Sequence, residues 1–172
     1  MGHNGTVNVS APIRRRRDGR FAIKLDPSVR AVLATMSAQL SPVIGPDEPT
    51  TRRLFPPAYP GRDDEVAERD YRALVDSALV NHHREAFAVV AETAEADTLT
   101  ETELEAWLSS VGTMRLVLGT RLDVSEDMTP PDPADPTAPE YALYELLGQL
   151  QYLMIEVLAA DLPEEGRPEG VL

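Results

Sequence analysis

The sequence predicts an all-α protein, a helical bundle of about four main helices with a small N-terminal β-hairpin and Pro-rich connectors. Three observations carry this prediction. Apolar residues recur at helical spacing in several long stretches. Six prolines crowd residues 42–62 and five crowd residues 129–139, too many for helix or inner strand. Strand-like alternation is confined to the region near the N-terminus. Its 172 residues suffice for one sizeable core, and the chain divides into a flexible leader (1–10), a single helical domain (11–160) and a disordered acidic tail (161–172).

After the polar leader, Phe21, Ile23 and Leu25 alternate with polar or small residues, and Asp18-Gly19 supplies a turn. A three-residue loop with Gly19 in the left-handed region would pair Ile13 with Ile23 and Arg15 with Phe21. That register is preferred because it gathers the apolar side chains on one face, and a lone hairpin must then lie on the helices. Asp26-Pro27 reads as an N-cap followed by proline at the first helical position. Val29, Val32, Leu33, Met36 and Leu40 supply the inward stripe of that helix, which Ser41-Pro42 stops. The connector that follows is expected to be pinned to the body by Leu54, Phe55 and Tyr59.

Asp63 or Asp64 opens the next helix with acidic residues that suit its dipole. Tyr71, Leu74, Val75, Ala78, Leu79, His82, Ala86, Val89 and Val90 form its face, and the lack of proline or glycine to Ala94 favours one helix over two. Thr100 with Glu103 is a capping box. It starts a helix through Leu104, Trp107, Leu108, Val111, Met114 and Leu118 that Gly119 is expected to end. The polar stretch 120–127 and the proline-rich stretch 129–139 form a linker or a lid. The last helix, Glu140 to Ala160, is apolar nearly all round, so it is expected at the centre of the bundle or completed by a second copy of the chain. Its stripe of Tyr141, Tyr144, Gly148, Tyr152 and Ile155 is a candidate dimer face, with cover from the same chain as the alternative.

The net charge of −13 is uneven, since residues 1–30 carry +5 and the rest −18. An acidic body repels nucleic acid over long range. Arg14, Arg15, Arg16 and Arg17 are the candidates for contact with nucleic acid or an acidic partner, but strand geometry lets at most two of them follow one phosphate backbone. The bland alternative is a solvated edge protected by charge. With no cysteine there is no disulfide, thiolate ligand or cysteine nucleophile. His82-His83 cannot chelate jointly from a helix, because neighbours point about 100° apart, and His82 is expected to be a hydrogen-bonded core residue. Asp123, Glu126 and Asp127 lack the order of a calcium loop. No phosphate loop, nucleophile elbow or zinc-protease motif is present. The expectation is a non-enzymatic, cytoplasmic protein without metal, cofactor or membrane span, with a direct DNA-binding regulator or a small-molecule-binding domain as the alternatives. Arg115 falls inside an apolar stripe and is expected to be buried and paired with a carboxylate or carbonyl, from the preceding long helix or the Ser125-Glu126-Asp127 loop.

The segments Leu54-Phe55-Pro56-Pro57-Ala58-Tyr59 and Arg115 to Val124, RLVLGTRLDV, followed by Ala142-Leu143-Tyr144-Glu145-Leu146-Leu147-Gly148, resemble the actinobacterial AosR-like family. The likeness runs from the hairpin to about residue 160. Arg115, Gly119, Thr120, Arg121 and Asp123 match its signature. The resemblance implies a mostly helical regulator linked to oxidative-stress transcription that acts with a protein partner, an alternative sigma factor. It also implies redox sensing through a cysteine pair, which this sequence cannot supply.

Overall fold

In a computed structural model of the chain, residues 11–55, 65–125 and 127–160 are described. Two short strands, β1 (Ile13–Arg15) and β2 (Phe21–Ile23), precede helix α1 (Pro27–Leu40). A single 3-10 turn (Arg52–Leu54) leads to the long helix α2 (Glu65–Thr93). Strand β3 (Thr98–Leu99), helix α3 (Glu101–Arg121) and helix α4 (Ala138–Ala159) complete the order. The protein is mostly helical.

Its strands pair in the expected register, Ile13 with Ile23 and Arg15 with Phe21, around Gly19 at φ 78°. The hairpin is not alone, however. β3 adds to it antiparallel, giving the order β1-β2-β3 with Phe21 opposite Leu99. Two residues are too few to show a period. The addition places β2 in the middle of the sheet, where Phe21 and Ile23 are buried beside Ile13 and Leu99.

Local signals set the helix starts. The Asp26 side chain accepts from the Ser28 N–H at 2.8 Å, with Pro27 opening α1. At α3 the capping box is complete: Thr100 N–H donates to Glu103 at 2.7 Å and Glu103 N–H donates to Thr100 at 3.2 Å. α2 is one continuous helix. The expected helix start at Asp63 or Asp64 lies outside the described residues, as do the leader 1–10, Tyr59 and the tail 161–172. Phe55 is buried and Leu54 packs against the core, so the described part of the connector is pinned. Residues 132–137 are exposed and held by turns at Asp132 and Asp135, which makes this stretch a linker rather than a lid.

The centre of the bundle is α3, not α4. Nine α3 residues are buried, from Leu104 to Gly119, against three on α4, Leu147, Leu150 and Met154. α3 touches α1, α2, α4, β3 and the 3-10 turn. It can be surrounded because Ser110, Gly112, Thr113 and Gly119 are small enough for neighbours to approach, whereas hydrophobicity alone singles out α4. The second stripe of α4 is instead left partly open, with Tyr152 62% and Ile155 47% exposed.

The inward faces of α1 and α2 also differ from expectation by a small rotation. On α1 the buried residues are Arg30, Leu33 and Ser37, while Val32 is exposed. On α2, among the described residues, they are Ala86, Phe87 and Val90. His82 therefore faces solvent and His83 turns inward, its ring edge-on to Phe55 at 6.2 Å. Trp107 fills the middle of the core, its indole N–H donating to Thr93 Oγ1 at 2.8 Å.

Candidate functional site

The five signature residues converge on the junction of α3 with α4. α3 runs past Gly119 and closes two residues later in a Schellman arrangement. The Val124 N–H donates to the Gly119 carbonyl at 2.9 Å and the Asp123 N–H to that of Thr120 at 3.4 Å. Asp123 takes the left-handed position that glycine usually holds, with φ 51°. Gly119 serves packing instead. A Cβ there would stand 3.2 Å from the Tyr144 ring, so its absence lets α4 close on α3. Thr120 Oγ1 donates back to the Leu116 carbonyl at 2.8 Å. Arg121 reaches across to Glu140 at 3.1 Å, an exposed pair joining the end of α3 to the start of α4.

Arg115 does not have the carboxylate expected for it. Among the described residues it makes no ion pair or hydrogen bond, and its Nε is buried without an acceptor. Its guanidinium lies 4.6 Å from the centre of the Tyr144 ring. Gly148 makes room for it, since a Cβ at that position would come within 3.1 Å of Nε. Arg115 is half-buried rather than buried as expected, so the tyrosine face, which contributes about 0.5–2 kcal/mol to a cation, covers only part of a guanidinium that stays partly hydrated. Both the long acidic helix and the described part of the 125–127 loop fail to reach it. Glu126 lies outside the described residues.

Arg115 borders a pocket of about 220 Å³ between α3, α4 and the 3-10 turn, shared with Arg53, Leu116, Val124, Tyr144 and Gln151. On its other side it borders a groove with Gly148 and Tyr152. The tyrosine stripe is thus divided. Tyr141 and Tyr144 pack on each other at 6.1 Å and are half-buried within the chain, and Gly148 receives Arg115. Only Tyr152 and Ile155 remain open.

The arginine run lies elsewhere, on β1 and its turn. Arg15 stacks over Phe21 at 5.3 Å and lies 3.8 Å from Glu101, while Arg16 pairs with Asp18 at 3.3 Å. Arg14 and Arg17 are exposed. Two of the four charges are therefore matched by acidic neighbours. No group of three or more His, Cys, Asp or Glu side chains is placed to hold a metal among the described residues. No helix among them is long and apolar enough to cross a membrane.

Sequence reasoning missed Arg30, which is 7% exposed. Its guanidinium donates to four backbone carbonyls: Ile23 at 2.6 Å, Ala96 at 2.7 Å, Ala94 at 2.9 Å and Leu25 at 3.3 Å. It ties the sheet and α1 to the C-terminal end of α2, whose last carbonyls have no helical partners. Its spacing from Leu33 and Ser37 was the available signal. His83 was also missed. The Thr113 hydroxyl donates to the Ser109 carbonyl at 2.9 Å, so at 3.1 Å from His83 Nδ1 it can only accept. With the Thr113 hydroxyl donating to Ser109, the matching tautomer of the neutral ring is the one protonated on Nδ1. Burial, and then the charge of His82, lower the His83 pKa from its ordinary value.

Taken together, the molecule is a small, mostly helical protein in which Arg115, Gly119, Thr120, Arg121 and Asp123 brace one helix pair beside a pocket bordered by two arginines. A family model described as a domain of unknown function (DUF2017) matches residues 10–158, and the chain belongs to that family. It is similar to a protein of Mycobacterium leprae (strain TN) named "Putative oxidative stress regulator AosR", with 29% identity over 131 residues. That alignment covers 66% of this chain and 60% of the relative, so the chain spans well under the relative's full length. No solved structure matches the chain.

Proposed function

We propose that this chain is a non-enzymatic, cytoplasmic regulatory module that acts in oxidative-stress transcription by binding another protein, with an alternative sigma factor as the partner. Its resemblance to a named stress regulator supports the regulatory role. The observation that carries protein binding is the open apolar strip beside Arg115. Leu116 (46% exposed) on α3 stands on one side, and Tyr152 (62%) and Ile155 (47%) on α4 stand on the other. Large apolar side chains grouped on one face favour a partner that takes them out of water. Regulation in this chain works without a thiol switch, because its sequence has no cysteine.

A pull-down from native lysate with the wild type and with a Tyr152→Glu, Ile155→Glu double variant tests this reading. Enrichment of sigma factor or RNA polymerase subunits by the wild type, lost in the variant, is expected. Absence of transcription machinery from both counts against it. The same strip favours a homodimer as the second reading, since a self-complementary patch would cover Tyr152 and Ile155 on both copies. Tyr152→Glu should then turn a dimer into a folded monomer in light scattering, whereas a monomeric wild type ends the dimer reading. A direct DNA contact through Arg14, Arg15, Arg16 and Arg17 competes with the pairing of Arg15 and Arg16 to acidic neighbours. It requires a salt-dependent gel shift that is lost when the four are replaced.

A further inference from the structure

We infer that the pocket between α3, α4 and the 3-10 turn is a binding site for a compact carboxylate, held between Arg53 and Arg115. This inference goes beyond the regulatory reading and does not depend on it.

Charge frames the argument. The sequence has 29 acidic residues against 16 basic ones, so acidic partners for arginine are plentiful. Arg15, Arg16, Arg20, Arg72 and Arg121 all have one. Arg53 and Arg115 border the same pocket, and among the described residues neither makes an ion pair or a hydrogen bond. Two guanidinium groups that face one cavity without an anion between them repel each other, and each keeps its charge at physiological pH. Arg115 Nε is closed off against Gly148, so the terminal N–H groups of its fork are the donors left for an acceptor.

Geometry agrees with this reading. The face of the Arg115 guanidinium rests on Tyr144. Stacking of this kind occupies the face of the fork and leaves in-plane N–H groups for an acceptor. Planar, paired N–H donors match the two oxygens of a carboxylate. Gln151 adds an amide, and Gly112 and Gly119 leave two positions of the α3 wall without a side chain. Leu116 and Val124 form an apolar wall, which suits a ligand that carries carbon next to its charge rather than an inorganic ion. The acidic body, −18 outside the first 30 residues, disfavours a long polyanion and admits a single small one. The carboxylate can come from a free small acid or from the side chain of an acidic peptide.

The experiment follows the arginine side-chain Nε–H resonances of the full-length, nitrogen-15-labelled protein by NMR. The probes are sodium succinate, an acetylated tetraglutamate peptide and sodium phosphate, each titrated at constant ionic strength against sodium chloride. A saturable shift of the Arg115 resonance with succinate or the peptide is expected, with a dissociation constant of about 1 mM or tighter. The carboxylate probe that saturates at the lower concentration identifies the source. Arg53→Gln, at an exposed position, should leave the melting temperature unchanged and weaken binding about tenfold, the scale of one charge-assisted contact. Arg115→Lys keeps the charge but loses the fork, and should weaken binding as well. The inference is overturned by a response no different from that to chloride, by saturation with phosphate alone, or by carboxylate binding that Arg53→Gln leaves intact.

Discussion

Asp123 and His83 show how single side chains answer to their backbone and their surroundings. Asp123 holds φ 51° at the end of α3, a region that aspartate tolerates and β-branched residues do not. Asp123→Gly should therefore keep or slightly raise the melting temperature. Asp123→Val should lower stability by about 1–3 kcal/mol, measured by urea unfolding. His83 has a lowered pKa because burial, and then the charge of His82, disfavour its charged form. The unfolded chain thus takes up this proton first as pH falls. Stability is full above the ordinary histidine value of 6.5 and is lost as pH drops from there through the folded value. Melting temperatures recorded from neutral pH to pH 5 should fall more steeply for the wild type than for His83→Gln. Equal slopes would remove His83 from the account.

Between elements, arginine and glycine do the joining. Arg30 satisfies four carbonyls drawn from β2, the β2–α1 link and the end of α2. Charge-assisted hydrogen bonds contribute about 1.5–3 kcal/mol each, and carbonyls left buried without a donor add their own cost. Arg30→Ala should destabilise by about 3–5 kcal/mol, a scale typical of breaking a buried charged contact. Arg30→Lys should recover only part, because one ammonium cannot reach carbonyls spread around a planar fork. A calorimetric melting temperature within a degree or so of wild type for Arg30→Ala would refute the clamp. At the α3–α4 junction, Gly119→Val would drive the Tyr144 ring off its seat and cost about 1–3 kcal/mol through overpacking. It should also change the near-ultraviolet circular dichroism of the tyrosines. An unchanged spectrum would mean that the junction has slack.

At the scale of the molecule, one apolar cluster runs from Ile13 through Phe21, Phe87 and Trp107 to Met154, so sheet and helices share a single core. Acid stability is expected to fall in two stages. The first belongs to His83. The second includes a contribution from the exposed Asp26 and Asp135, whose pKa values lie below the ordinary 3.8. The side-chain and then the backbone hydrogen bond of Ser28 lower the first, and the backbone and then the side-chain bond of Thr137 lower the second. Their stabilisation is present above the unfolded value and is lost as pH falls through the folded value. In urea unfolding followed below pH 3.8, replacing both aspartates with asparagine should make the loss of stability slightly less steep.

The sequence by itself determined the features that depend on near neighbours in the chain. The Asp26-Pro27 start, the Thr100–Glu103 capping box, the continuous α2 and the Ile13–Ile23 register all follow from interactions within a few residues or across one turn. The junction residues Arg115, Gly119, Thr120, Arg121 and Asp123 were likewise visible as a motif, though not what each one does. Only the tertiary structure decided which helix is surrounded, because that depends on how closely neighbours approach, and Gly112, Gly119 and Ser110 govern approach without raising hydrophobicity. It also decided the phase of α1 and α2 by a fraction of a turn, turning Arg30 and His83 inward and Val32 and His82 outward. Periodicity cannot resolve so small a rotation when apolar residues occupy adjacent positions. The partner of Arg115 depended on which side chains the packing brings within reach. A guanidinium inside an apolar stripe calls for a carboxylate, yet the approach of α4 supplied the face of Tyr144 and left the charge open to a pocket.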